Sequence, residues 1–76
     1  MSLYEIARLC LAKDTNIVKI IVQLEPTIKH GFYTGVLNQN VAAKVIFSHL
    51  AFLCGQGPGP SPELIEEFRK EALDKY

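Results

Sequence analysis

A surplus of charge of either sign is missing: eight basic residues balance eight acidic ones, for a formal net charge of zero. Nucleic-acid binders carry a basic face that neutralises phosphates. Here Arg8, Lys13, Lys19, Lys29 and Lys44 are scattered, and from Ser61 onward five carboxylates outnumber three bases. Nucleic acid is therefore a poor partner for this chain. Cysteine is scarce too. Cys10 and Cys54 are the two thiols, each inside strongly apolar helical sequence, where a free thiol behaves as a small hydrophobe. Two reduced core thiols in a cytoplasmic, reducing compartment are expected, with one disulfide between the first and third helices as the alternative. Long apolar runs are absent. The densest, Val45 to Cys54, contains Ser48 and His49 and falls short of a membrane span. Met1 to Glu5 lacks a basic stretch ahead of an apolar one, so no signal peptide is expected.

What the chain has in quantity is apolar side chain, 49% of its 76 residues. This length makes one domain with a limited interior. Part of the apolar area is therefore expected outside the core, where such surface marks an interface.

The order of residues reads as helices. Ser2-Leu3-Tyr4-Glu5 has capping-box spacing, and the apolar stripe of Leu3, Ile6, Ala7 and Cys10 predicts a first helix over about 3–13. Asp14-Thr15-Asn16 breaks it and offers caps to the next. Ile17, Ile20, Ile21, Leu24 and Ile28 fit a helical stripe, although Val18, Ile20, Val22 and Leu24 also alternate as in a strand. Helix is preferred because a lone strand has no partner for its backbone groups. Pro26 is expected either to kink this helix or to stop it near Leu24 and start a short one. Gly31 and Gly35 are the expected exits, with Phe32 and Tyr33 packed between them as a hinge.

Asn38-Gln39-Asn40 caps a third helix over about 41–54, apolar on nearly every side with Lys44 as its single charge. Such a helix is expected to be buried all round, at the centre of the fold. Gly55 ends it, and Gly55 to Pro62 is a linker by composition. Ser61 caps a fourth helix with Pro62 in its first position. Leu64, Ile65, Phe68, Ala72 and Leu73 give it one apolar stripe, and Glu66–Lys70 and Glu71–Lys75 stand at i,i+4 spacing. The predicted fold class is all-α: a bundle of four helices, or five if Pro26 divides the second, with an amphipathic last helix near 62–75 that the linker would let swing onto a partner chain.

Catalytic and ligand sites fail on chemistry. The Gly55–Gly59 run cannot cradle a phosphate, because Pro58 and Pro60 lack the N–H donors and no Walker Lys-Ser/Thr follows. Cys10, His30, His49 and Cys54 can each bind zinc, but their spacing matches no compact finger. Cys54 at a helix C-terminus and Cys10 between two leucines are both expected to be inert thiols. His49 is expected to be a packed histidine and His30 a surface one. Glu63, Glu66, Glu67, Glu71 and Asp74 share one helix with basic neighbours, not the cleft that acid–base work needs. No catalytic residue, cofactor or metal is expected.

The segment Asn40-Val41-Ala42-Ala43-Lys44-Val45-Ile46-Phe47-Ser48-His49-Leu50-Ala51-Phe52-Leu53-Cys54, its small-residue loop and Ser61-Pro62-Glu63-Leu64-Ile65-Glu66 resemble the inner helices of armadillo- or HEAT-type repeats. Asn16-Ile17-Val18-Lys19-Ile20-Ile21-Val22-Gln23-Leu24 is similar to another helix of such a unit. The resemblance covers about residues 16–68 and implies a scaffold that binds proteins, without naming binding residues. The chain shows no internal repeat at the period of about 40–47 residues that such arrays carry.

The expectation is therefore a helical interaction domain that binds another protein and self-associates as a homo-oligomer. Leu3, Tyr4, Ile17, Ile21, Phe32, Tyr33 and Phe68 are the residues expected at the interface. A small helix-turn-helix DNA-binding regulator is the rival, and it lacks a basic or amide-bearing recognition face.

Overall fold

Ser2 opens the first helix, its Oγ accepting the Glu5 N–H at 3.2 Å. The computed structural model describes residues 2–75, with side chains for residues 2–73. Among these lie four helices and no strand: α1 (Leu3–Leu11), α2 (Ile17–Tyr33), α3 (Val41–Leu53) and α4 (Pro62–Lys75). The stretch that also alternates as in a strand is helical from Ile17 onward. None of the four is long and apolar enough to cross a membrane.

Helix α1 stops at Leu11, short of the expected 13. Lys13 takes the left-handed conformation (φ 57°), and the N–H groups of Lys13 and Asp14 turn back to the carbonyls of Cys10 and Leu9 at 3.1 and 3.2 Å. This is the Schellman closure, usually built on glycine. Asp14 then accepts the Asn16 N–H at 2.9 Å and leads the chain into α2.

Helix α2 excludes one of the two alternatives at Pro26, the stop near Leu24. It runs unbroken through the proline to Tyr33 and makes four helices rather than five. An internal proline costs about 3 kcal/mol. Pro26 and Val22, whose carbonyl loses its partner, both face water, so the orphaned oxygen can be solvated. On the opposite face Ile17, Ile21 and Ile28 are buried almost completely, on both sides of the proline. Burying each such side chain is worth ~1.5–3 kcal/mol, enough to outweigh the break. Glu25 and Lys29 pair at 2.8 Å across the same turn.

Gly31 is not an exit either; the chain leaves the helix at Thr34 and Gly35, where φ is 86°. The Leu37 side chain folds back against Gly31 so closely that a Cβ there would overlap it. The glycine serves close approach instead. Phe32 packs edge-on to Phe47 of α3, ring centres 5.3 Å apart.

Helix α3 starts where Asn40 Oδ1 accepts the Ala43 N–H at 2.9 Å. It contacts all three other helices, and Val41, Ala42, Ala43, Val45, Ile46 and Leu50 are buried in the core. It is not wrapped on every side, however. Phe47, Phe52, Leu53 and Cys54 are exposed. Its three neighbours leave one flank and the last turn partly uncovered. Gly55 (φ 71°) closes α3, and the Gln56 N–H reaches the Ala51 carbonyl at 2.8 Å.

Helix α4 is capped by Ser61, whose Oγ accepts the Leu64 N–H at 3.1 Å. Phe68 is its buried anchor, stacked on Tyr4 of α1 at 5.1 Å between ring centres. Glu66 and Lys70 do not close the expected i,i+4 ion pair among the described residues. The expected Glu71–Lys75 pair needs the Lys75 side chain, which lies outside the described residues. The core of the described residues contains no buried polar side chain. The radius of gyration, 11.5 Å, matches the value of about 11.4 Å for a compact chain of this length.

Candidate functional site

The last turn of α3 continues the stripe that forms the core. Phe52 lies seven residues beyond Val45, and Leu53 seven beyond Ile46. Two helical turns return a side chain to nearly the same face. Val45 and Ile46 are 0% exposed, whereas Phe52 is 52% and Leu53 42% exposed. The apolar face therefore runs out of the core and into the open.

It opens into a groove of about 440 Å³. Val18 of α2 and Ile65 of α4 form its apolar walls with Phe52 and Leu53, and Pro58 and Pro60 cross its edge. The loop is held there by local chemistry. Gly59 adopts φ 88°, a region that suits glycine, and a Cβ on it would lie 3.7 Å from the Phe52 Cβ. The prolines stiffen the remainder and add no donors.

Polar groups in the groove are few: Lys13, Asp14, Thr15, His49 and the Cys10 thiol. The His49 ring stacks on Phe52, centres 6.2 Å apart, and burial lowers its pKa from the ordinary 6.5. Burial pushes the Cys10 thiol up to about 11. A thiol of that acidity is almost wholly protonated at neutral pH and is a poor nucleophile. Cys10 and Cys54 are both free; Cys10 is a core thiol, but Cys54 is exposed, contrary to expectation. Among the described residues no group of three or more His, Cys, Asp or Glu side chains can hold a metal ion.

A second groove, about 620 Å³, runs between α1 and α4. The stacked pair Tyr4 and Phe68 lies along it, Leu11 and Leu73 flank the pair, and Arg8 and Arg69 stand on opposite helices. Leu11 lines both grooves, so they adjoin at the end of α1. Leu73 is 82% exposed. Glu63, Glu66 and Glu67 line a shallow dish on another side of α4, together with Lys70.

The seven expected interface residues do not form one surface. Ile17, Ile21 and Phe68 belong to the chain's own core and present almost no area to a partner. Their burial follows from the same helical stripes that singled them out. Leu3, Tyr4 and Phe32 are half-buried against that core, and Tyr33 alone of the seven is fully exposed. Sequence reasoning missed Phe52, Leu53 and Leu73. The signal for the first two was their position in the last turn before a Gly/Pro linker. No family model matches the chain, and no curated protein or solved structure matches it.

Proposed function

We propose that this chain is a non-catalytic helical interaction domain of the cell interior, which binds another protein and also pairs with a second copy of itself. The observation that carries this reading is the α3 stripe, fully buried at Val45 and Ile46 and half-open two turns later at Phe52 and Leu53. Apolar side chains gathered in a groove are area that folding has left uncovered, and such area is characteristic of protein-binding surfaces. Two free cysteines accord with a reducing compartment. The resemblance of residues 16–68 to armadillo- or HEAT-type helices points the same way.

Two measurements test the two halves. Sedimentation velocity over the micromolar range should show a concentration-dependent species heavier than the monomer; a chain that stays monomeric throughout removes self-association. A photo-reactive phenylalanine analogue at position 52 should give a discrete protein adduct in the cells that make this chain. Irradiation without an adduct removes the groove as a binding surface.

A further inference from the structure

Helix α4 carries a seam that complements itself. At 100° per residue, Pro62, Glu66, Arg69 and Leu73 fall within about 60° of one another on the helix surface. All four are exposed, and Arg69 and Leu73 also border the α1–α4 groove. Neither Glu66 nor Arg69 has an ion-pair partner among the described residues. The order along the seam is proline, acid, base, leucine, and it is symmetric about the midpoint between residues 67 and 68. Set antiparallel against a second copy about a two-fold axis, Glu66 of each chain faces Arg69 of the other. Leu73 of each then covers the Pro62 end of the other.

From this geometry we infer that the exposed α4 seam, between the α1–α4 groove and the acidic dish, is the homodimer interface, with the two α4 helices antiparallel across a two-fold axis. The inference rests on the self-association proposed above and names its surface. A two-fold interface uses the same patch on both chains, so its charges must complement themselves. The alternation of Glu66 and Arg69 meets that requirement twice per dimer. Arg8, on the far bank of the groove, adds a second cation toward the acidic outer side of the incoming α4, where Glu63, Glu66 and Glu67 are exposed. Leu73, the most exposed leucine of the chain's described residues, gains cover.

A charge swap tests it. Glu66→Arg and Arg69→Glu should each weaken the dimer at least about tenfold in sedimentation equilibrium, since each sets like charges together at two places. The double variant Glu66→Arg/Arg69→Glu restores opposite charges across the axis and should recover the dimer to within a few-fold. Leu73→Asp should also weaken it, while circular dichroism stays unchanged because all three positions are exposed. A wild-type chain that is monomeric at every soluble concentration overturns both the interface and the self-association beneath it. A wild-type dimer indifferent to both single swaps overturns the α4 geometry alone. Single swaps that weaken the dimer without recovery in the double variant overturn the reciprocal pairing.

Discussion

Lys13 occupies a position that suits glycine. Its φ of 57° is the left-handed value that closes α1, and no other non-glycine described residue has positive φ. The conformation costs an L-residue roughly 1–2 kcal/mol, partly offset by the greater chain entropy that glycine would lose on folding. Lys13→Gly is therefore expected to raise stability by about 0.5–1 kcal/mol, seen as a higher urea midpoint at unchanged slope; a lower midpoint would contradict the account. His49 gives a second residue-scale effect. Its folded pKa lies below 6.5 because burial disfavours the charged ring, so the unfolded chain binds the proton more readily. Stability should be level above the ordinary histidine pKa, fall as pH drops through it, and level off again below the folded pKa. His49→Phe should remove that step. If the step survives the substitution, it arises from another group.

Continuity of α2 is a property of the element. Local chemistry at Pro26 argues for a break, and the buried face of Ile17, Ile21 and Ile28 argues against one. The helix is intact because burial acts on both sides of the proline while the lost hydrogen bond faces water. Pro26→Ala should accordingly stabilise the protein, by about 1–3 kcal/mol after allowance for the looser unfolded chain. Thermal unfolding would measure it. A loss of stability would mean that the proline packs usefully, against the exposed position observed for it. Helix boundaries set by side-chain caps were readable in advance. Ser2, Asn40 and Ser61 each accept a backbone N–H three residues ahead, as their spacing implies. The Pro26 outcome was not readable, because it depends on how completely the core covers the stripe on the far side of the proline, at Ile28.

At the scale of the whole molecule, α3 has two ends with different fates. Ile46→Ala empties space inside the core and should cost about 2–5 kcal/mol. Phe52→Ala, seven residues away from Val45 on the same stripe, should cost less than about 1 kcal/mol because much of the ring is already in water. Paired urea titrations would compare them, and equal losses would contradict an open groove. The expected burial of α3 on every side erred for the same reason. Periodicity states which side chains are apolar, but the number and reach of neighbouring helices decide how many are covered. The candidate interface suffered likewise: stripes selected Ile17, Ile21 and Phe68, and those stripes are what the chain folds onto itself.

What the sequence determined by itself is local: the helical segments with most of their caps, the Gly/Pro linker and the apolar centre at 41–54. These follow from hydrogen-bond chemistry and turn geometry within a few residues along the chain. Only the tertiary structure decided that α2 survives its proline, that Cys54 faces water, that Phe52 and Leu53 open into a groove, and that Arg8 and Arg69 border one cleft. Each of those depends on how separate helices pack against one another. That is a matter of packing in three dimensions, which no one-dimensional pattern of apolar and polar residues records.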